Sequence, residues 1–582
     1  IKVTAGDAVF DSCVIVSPSS TGFSISGEAT PTIRHCVINK CQHVGVLCRG
    51  NCAPVVQGNT MYQNSGFSIY ITDESSGEFV ENMISETGKC AILCSGKAST
   101  RFCRNTVSDG TQGGFWIQSQ STCVLEENTI QNNHKAALQI SDESNPTVKG
   151  NKILDGDGGG IVVHGKATGL YIGNSLSGSV RAGIGIMDDA RPVFVGNSML
   201  ANEGGGAVMA GRSEPVFICN KINGNGFVGI GVKESSSPFL MDNQIGGNLG
   251  YGILAQGSSS PTIQECVVED NKRSGVCACE NAVVIVSHCT IQATDEVSQR
   301  AGLLLHDCSN AVMLECSVRN HRTGNVVMQD RSAGTLTGNH LTSAVVGVKL
   351  HANASATLRQ NLIEDGAECN VLVLNSAQLR ATGNQIMGSR GSGIRAVQSS
   401  QCNLSHNSIM NNKECGVRVE GNGTLEMRAN RVSGNGSDGV NADSVSLKMK
   451  ANVIFENLCH GLAVSGVSAP YLSGNTIVGS TNPESVAVVA KGVPSLANCT
   501  GNVVQQTHGS LKMASAATFL STNVACKDHK TCKMAVDHGL DVLADWTQYR
   551  AKNLVVVQPD GTECVCQPSY HSLKSLSLPT QK

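Results

Sequence analysis

The sequence predicts an all-β fold in which short parallel strands wind into one continuous coil, a single-stranded parallel β-helix of about 22 coils. Three observations predict it. A repeat of about 23 residues runs through most of the 582-residue chain, each repeat carries three short apolar stretches and no segment long enough for a helix, and charged residues make up only 15% of the chain. The low charge disfavours an α-helical solenoid, whose solvent-facing surface needs Lys and Glu.

The repeat is anchored by an Asn or a Cys that is followed two positions later by an aliphatic residue. Of the 21 intervals between anchors, 17 are 23 residues long, two are 22 and two are 27, and all 22 positions two after an anchor hold Ile, Val, Leu or Met. The anchors are Cys13, Cys36, Asn59, Asn82, Asn105, Asn128, Asn151, Asn174, Asn197, Asn220, Asn243, Cys266, Cys289, Cys316, Asn339, Asn361, Asn384, Asn407, Asn430, Asn452, Asn475 and Asn502. Stacked side-chain amides can hydrogen-bond along a column, and Cys is a small polarizable substitute. We therefore predict a ladder of Asn with reduced Cys in the same row, although neighbouring anchor cysteines would also be close enough for disulfides.

The other two strands of each repeat follow from glycine and proline. A Gly nine residues after the anchor precedes an apolar stretch, as at Gly160 and Gly252, which indicates a turn or a close backbone approach. A third apolar pair, often preceded by Pro as at Pro192, comes just before the next anchor. The four extra residues of each 27-residue interval are expected to bulge outward near 296–300 and 481–485 without changing the register of the core.

The last part of the chain departs from the repeat. We predict a β-helix over residues 1–505 and a small α+β capping segment over 506–582, with a helix at 534–550 and a hairpin of 554–557 with 562–566. The cysteines there, Cys526, Cys532, Cys564 and Cys566, do not have the spacing of common structural zinc sites. The segment is expected to cover the last open coil, since exposed strand edges invite aggregation.

The segment from Ile140 to Ile153, with the pattern of Ser-x-Pro-x-Val before an Asn-x-Ile, resembles the right-handed parallel β-helix repeats of carbohydrate-binding proteins and sugar hydrolases. In detail it is similar to the β-helix F-box proteins and their spindle-associated relatives. The resemblance implies a right-handed coil. It implies recruitment of substrates to a ubiquitin ligase only if an F-box precedes Ile1.

Charge and cysteine content restrict the partners and the compartment. With 43 basic and 46 acidic residues the net charge is −3, so we expect no nucleic-acid partner and no membrane insertion. The 25 cysteines are scattered rather than clustered, which favours reduced thiols and a cytoplasmic location. Five N-x-Ser/Thr sequons leave a secretory route open.

One group of residues could support chemistry. A row fourteen positions after the anchors often alternates Gly with an acid, but Glu280, Asp307 and Asp330 occupy it on consecutive coils. His306 precedes Asp307, and His351 lies two residues before Asn353, the next member of the row. A His beside a carboxylate suits general acid/base catalysis or a metal ion. The alternative is a row of solvated turn residues.

The candidate catalytic residues are few for an enzyme. Of the motifs that the family resemblance implies for polygalacturonases, only the pair Asp188 and Asp189 is present, and aromatic residues make up only 4% of the chain. We therefore expect a non-catalytic scaffold or recognition module for protein–protein interaction within a larger assembly, and not an enzyme, with no cofactor and no metal. The alternative is a polysaccharide-active lyase, hydrolase or epimerase with a carbohydrate partner.

Overall fold

The computed structural model describes residues 1–294, 300–466, 470–480, 482, 485–493 and 498–505, and beyond them four short strands. They form a right-handed parallel β-solenoid of about 21 turns, which confirms the predicted fold class. The described residues contain no α-helix, and therefore none long and apolar enough to cross a membrane. The chain divides into two compact units: unit 1 is Ile1–Ala333 with Asn339–Lys349, and unit 2 is Gly334–Gly338 with Leu350–Lys582.

Each turn of unit 1 contributes one strand to each of three parallel sheets, A, B and C. Sheet A contains Lys2–Val3, Phe23–Ile25, Val44–Cys48, Phe67–Ile71, Cys90–Cys94, Gly113–Ile117, Leu138–Ile140, Ile161–Val163, Ala182–Ile186, Gly205–Met209, Ile230–Val232, Ile253–Ala255, Val276–Ala278, Ala301–Leu305 and Gly324–Met328. Sheet B contains Val9–Asp11, Thr32–Arg34, Val55–Gln57, Glu78–Val80, Arg101–Cys103, Val124–Glu126, Thr147–Lys149, Leu170–Ile172, Val193–Val195, Val216–Ile218, Phe239–Met241, Thr262–Gln264, Val283–Ser287 and Asn310–Leu314. Sheet C contains Val14–Val16, Val37–Asn39, Thr60–Tyr62, Met83–Ser85, Thr106–Ser108, Thr129–Gln131, Lys152–Leu154, Ser175–Ser177, Ser198–Leu200, Lys221–Asn223, Gln244–Gly246, Val267–Glu269, Thr290–Gln292, Ser317–Arg319 and His340–Thr342.

Unit 2 repeats the three-sheet pattern. Its sheet A contains Cys369–Val373, Ser392–Val397, Val417–Glu420, Val440–Asp443, Leu462–Ser465, Val488–Lys491 and Lys512–Met513. Its sheet B contains Ser355–Arg359, Gln378–Thr382, Gln401–Ser405, Thr424–Arg428, Ser446–Lys450, Tyr471–Ser473 and Cys499–Thr500. Its sheet C contains Leu362–Glu364, Gln385–Met387, Ser408–Met410, Arg431–Ser433, Val453–Phe455, Thr476–Val478, Val503–Gln505 and Val524–Cys526. Two further strands, Ala333–Thr337 and Val346–Leu350, contain the boundary between the units.

The anchor residues form the predicted ladder. Asn59 is 1% exposed, and both its backbone N–H and its Nδ2 donate to Oδ1 of Asn82, at 3.0 and 2.9 Å, while Nδ2 also donates to the carbonyl of Ile33 at 2.9 Å. Cys takes the same place in the row, because the N–H of Cys266 donates to Sγ of Cys289 at 3.4 Å. The cysteines that the structure describes are all free, so no disulfide replaces these contacts there.

A second Asn ladder, which we did not predict, runs five residues after the anchors. Asn202 is fully buried, and its backbone N–H and Nδ2 donate to Oδ1 of Asn225, at 3.0 and 3.1 Å. Its members are Asn64, Asn133, Asn202, Asn225, Asn248, Asn271, Asn412, Asn435 and Asn457. The second ladder supports the turn between sheets C and A, as the first supports the turn between sheets B and C.

The recurrent glycine marks a close approach between neighbouring coils. A Cβ at Gly252 would lie 2.6 Å from the carbonyl oxygen of Gly275 and 2.7 Å from Cγ1 of Val268, which no real side chain tolerates. A side chain here would therefore separate sheet A strands of successive turns.

The 27-residue intervals leave the core in register, as predicted. Across the first of them, Val276–Ala278 pairs with Leu303 to Leu305, and Thr290–Gln292 pairs with Ser317–Arg319. Of the expected bulges at 296–300 and 481–485, only residues 300, 482 and 485 lie within the described residues. Within the predicted capping segment, Lys512–Met513 and Val524–Cys526 pair with the preceding strands of sheets A and C. An antiparallel pair, Leu554–Val557 with Glu563–Cys566, agrees with the predicted hairpin. The helix predicted at 534–550 lies outside the described residues.

Candidate active site on the outer face of sheet A

The row of turn residues beside sheet A adopts the left-handed backbone conformation turn after turn. Asp188 and Glu234 have φ of 61° and 59°, and Gly165 and Gly211 between them have φ of 70° and 75°. Glycine takes this conformation without strain. The carboxylates complete the turn: the N–H of Gly165 donates to Asp188 at 2.9 Å, and that of Gly211 donates to Glu234 at 2.8 Å. Acids at these places therefore stabilise the turn of the preceding coil.

Glu280, Asp307 and Asp330 break the alternation and follow one another on three successive turns. Their backbones are joined by the hydrogen bonds from Asn281 N–H to the carbonyl of Asp307 and from Cys308 N–H to that of Asp330, both 3.1 Å. All three side chains are exposed along one edge of sheet A. The structure thus brings together the three acids named from the sequence.

The imidazole of His306 contacts Asp307, the middle acid of the three. Its Nδ1 lies 2.7 Å from Oδ2 of Asp307, and its Nε2 lies 3.7 Å from Sγ of Cys277. Because a carboxylate can only accept, Nδ1 carries the proton and Nε2 is left as a base. The His306 side chain is 24% exposed, so it lies low against the sheet while remaining accessible.

An apolar floor lies beneath the imidazole. Leu254, Cys277 and Leu304 are paired neighbours on three successive strands and point outward from sheet A. Cys277 is fully buried, and this burial raises the pKa of its thiol to about 12. Cys277 therefore stays a neutral thiol, so it forms part of the apolar surface and does not act as a nucleophile.

Two residues that the sequence analysis missed, Tyr251 and Arg273, lie at the opposite edge of the floor. Tyr251 packs against the cluster that contains Leu254 and Cys277. The guanidinium carbon of Arg273 is 5.3 Å from the centre of the Tyr251 ring, within cation–π range. A hydrogen bond from Tyr251 and the charge of Arg273 both act to lower the pKa of Cys277, whereas the charge of Asp307 acts to raise it.

We call Tyr251, Arg273, Cys277, His306 and Asp307 the A-face site. It places a cation and a phenol on one side of an apolar floor and an Asp-oriented imidazole on the other. Such a set can bind a carboxylate and move a proton next to it.

The remaining predicted residue, His351, belongs to unit 2. Its Nε2 lies 2.6 Å from Nδ2 of Asn375. Within the ranges that the structure describes, no three His, Cys, Asp or Glu side chains are grouped so that they could hold a metal ion.

Comparison with known proteins agrees with the fold. The profile of the family described as right handed beta helix region matches residues 1–116, 90–240, 172–300 and 301–477. No curated protein matches the sequence.

Three solved structures are similar at low identity. One is a periplasmic alginate epimerase, AlgG, at 14% identity over 48% of this chain and 74% of that one, with a TM-score of 0.34. Another is the A-module of a mannuronan C-5 epimerase from Azotobacter vinelandii, at 13% over 52% and 86%, with a TM-score of 0.37. The third is a PL6 family alginate lyase, at 10% over 86% and 97%, with a TM-score of 0.26.

These findings correct the functional expectation from the sequence. We expected a non-catalytic scaffold for other proteins, and that expectation is contradicted: the similar structures are an alginate epimerase, a mannuronan C-5 epimerase and an alginate lyase. None of the three is a β-helix F-box protein, so that more specific resemblance is not shown.

Proposed function

Because the chain belongs to the right-handed β-helix family, whose outer strand faces can display a row of side chains turn after turn, we propose that the A-face site acts on an acidic polysaccharide. The proposed reaction begins with removal of the proton from the carbon next to a uronate carboxylate. It is the first step shared by polysaccharide lyases and epimerases, and alginate is a polymer of this class.

One observation carries the proposal. The imidazole of His306, with its Nδ1 2.7 Å from Asp307, lies 3.7 Å from the buried Sγ of Cys277. Tyr251 packs against the cluster that contains Cys277, with the guanidinium of Arg273 at 5.3 Å from its ring centre. A uronate ring lying on this floor would have its carboxylate beside Arg273 and its acidic C–H beside His306.

The electrons and protons balance without another reactant. The C–H bond breaks, Nε2 of His306 takes the proton, and the electron pair moves into the carboxylate, whose growing charge Arg273 stabilises. In an elimination the electron pair then forms a C=C bond as the glycosidic C–O bond breaks, and the departing oxygen takes the proton of the Tyr251 hydroxyl. In an epimerisation that proton is delivered to the carbon from the opposite face. The proton held by His306 returns to the Tyr251 phenolate through solvent, which restores both groups.

Hydrolysis fits the acids less well. Glycoside hydrolysis uses two carboxyl groups that flank the scissile bond. Glu280, Asp307 and Asp330 instead lie in one column along a single edge of sheet A, and no carboxylate of that row faces them across the floor. Among the alternatives kept open by the sequence, a lyase or an epimerase is therefore favoured over a hydrolase.

The test is turnover of alginate and polygalacturonate by the full chain and by His306→Ala. Elimination is followed by the ultraviolet absorbance of unsaturated uronate, and epimerisation by NMR of the polymer. We expect His306→Ala to lower kcat by about 100-fold or more, the range of general acid–base catalysis. His134→Ala is a matched control, because His134 also pairs with an acid, Asp157 at 2.6 Å, but both side chains are more than half exposed.

Two results would contradict the proposal. One is the absence of turnover on both polymers under conditions where the protein is folded. The other is equal loss of turnover in His134→Ala and His306→Ala, since only His306 borders the apolar floor.

A further inference from the structure

A second feature lies in unit 2, on the outer face of sheet B. A groove of about 470 Å³ runs over the strands Gln378–Thr382, Gln401–Ser405, Thr424–Arg428, Ser446–Lys450 and Tyr471–Ser473. Two rows of outward side chains form it, because alternate residues of each strand face outward and the strands pair residue by residue.

Each row carries two cations. In one row, Arg428 pairs directly with Lys450, and in the other, Glu426 pairs with Lys448. Arg380 continues the second row two strands earlier. Neighbouring strands are about 4.8 Å apart, so Arg428 and Lys450 lie close together despite their like charges.

The contrast with unit 1 shows why these cations matter. There, Arg104 and Arg212 lie 2.9 and 2.8 Å from the acids Glu81 and Asp189 on a neighbouring turn. In the groove, Lys448 is paired with Glu426 at 2.8 Å. Among the described residues, however, neither Arg428 nor Lys450 has an ion-pair partner. Two adjacent cations without acids repel each other, and a bound anion would remove that repulsion.

The rest of the groove supplies groups that suit a sugar chain. Thr382 and Ser405 precede Arg428 in its row, and their hydroxyls lie 3.0 Å apart. Tyr471 ends the other row with 45% of its surface exposed, next to Lys448. Hydroxyl groups can exchange hydrogen bonds with sugar hydroxyls, and an exposed aromatic ring can cover a sugar face.

We propose that this groove binds a segment of an acidic polysaccharide, with its carboxylates on Arg428 and Lys450 and one ring against Tyr471. The choice of polymer rests on the function proposed for the A-face site, but the groove is a separate binding site. A nucleic acid fits it less well, since the chain has a net charge of −3, Tyr471 is the one Phe, Tyr or Trp that lines the groove, and Glu426 lies between the cations.

The experiment measures equilibrium binding of alginate to the full chain by titration calorimetry. It is done in an Arg273→Gln background, which removes the cation of the A-face site. The double variant Arg428→Gln/Lys450→Gln should raise the dissociation constant about tenfold or more, since two charge-assisted contacts are lost. The control Lys97→Gln/Arg212→Gln removes the same charge from exposed positions of unit 1 and should leave it within about twofold.

A second variant tests the sugar contact without changing charge. Tyr471→Ala should weaken alginate binding while the salt dependence stays as in the parent, because the released counterions are unchanged. Circular dichroism of each variant reports whether the fold is intact, and all three side chains are exposed or half-buried.

The possible results distinguish failure of the groove proposal from failure of the reaction proposed for the A-face site. Loss of alginate binding in the groove variants, together with no turnover of alginate or polygalacturonate by the parent chain, would support the groove and refute the A-face reaction. Equal binding by the groove and control variants would refute the groove, even if turnover is found. Single-stranded DNA that binds as tightly as alginate, and loses affinity in the same variant, would also overturn the proposal.

Discussion

Replacing Asn220 by Asp is expected to destabilise unit 1, because Asn220 uses both ends of its amide in the anchor ladder. Its Oδ1 accepts from the backbone N–H and Nδ2 of Asn197, at 2.8 and 3.0 Å. Its Nδ2 donates to the carbonyl of Phe194 and to Oδ1 of Asn243, at 3.1 and 2.9 Å. A carboxylate keeps the first pair of contacts and loses the second.

The magnitude follows from the two side-chain donations that are lost. Phe194 O would lose this donor, Asn243 Oδ1 would keep only the backbone N–H of residue 220 at 3.0 Å, and both would face a buried carboxylate oxygen. Each lost contact of a buried group costs about 1–3 kcal/mol. The free energy of unfolding should therefore fall by about 2–6 kcal/mol at neutral pH.

The effect should depend on pH in a definite direction. Burial raises the pKa of the new carboxyl group above the unfolded value of about 3.9. An acid whose pKa is higher in the folded than in the unfolded protein destabilises the fold least at pH values below the unfolded pKa. The free energy of unfolding then falls as the pH rises towards and through the folded pKa. Asn220→Asp should therefore be closest to the parent in acid, where the protonated carboxyl can donate one hydrogen bond.

The assay is urea unfolding at several pH values, followed by circular dichroism. Asn51→Asp is the matched control, since Asn51 is exposed and should change the unfolding free energy by no more than about 0.5 kcal/mol. An Asn220→Asp protein as stable as the control at neutral pH would refute the reasoning that the ladder amides are satisfied donors and acceptors.

Two further perturbations test the packing and the titration of unit 1. Gly252→Ala should lower stability by about 1–3 kcal/mol, because its Cβ would lie 2.6 Å from the carbonyl oxygen of Gly275. Gly185→Ala, whose Cβ would lie 3.7 Å from Val162, should not, and equal effects in urea unfolding would argue against the close approach. Burial lowers the pKa of His321 to about 4. In the unfolded chain this residue therefore takes up a proton at a higher pH than in the folded protein. The free energy of unfolding should fall as pH drops from about 6.5 towards 4. An unfolding free energy that stays flat over this window would contradict it, and His321→Asn should remove that part of the pH dependence.

Much of the fold could be predicted because every turn repeats the same physical requirement. The anchor Asn and the aliphatic residue two positions later are visible in nearly every repeat, since each must stack on its equivalent. The second ladder was missed although its signal is present, an Asn five residues after the anchor as at Asn64 and Asn225. Other turns hold Cys, Gly, Ser, Thr, Ala, Pro or His there, such as Cys41 and Ser179, and the mixture hides the period.

The candidate site could be predicted only in part. His306 and Asp307 are adjacent in sequence, so their contact needs no knowledge of the fold. Tyr251 and Arg273 come from two earlier turns, and their position over Cys277 depends on sheet register. Neither lies at a position of the repeat where one residue type predominates, so the sequence pattern does not single them out.

The thiols in the anchor row have a mechanical consequence. From Asn243 to Cys316 the amide contacts of about 2.9 Å are replaced by three successive N–H···S contacts of 3.4 Å, to Cys266, Cys289 and Cys316. Sulfur is a weak acceptor, so these turns are joined less strongly than those on either side. Under a stretching force applied along unit 1, these turns should separate before the all-Asn turns, and their backbone amides should exchange with solvent earlier. The same turns carry the A-face site, so that site lies in a part of unit 1 that opens more easily than the all-Asn turns.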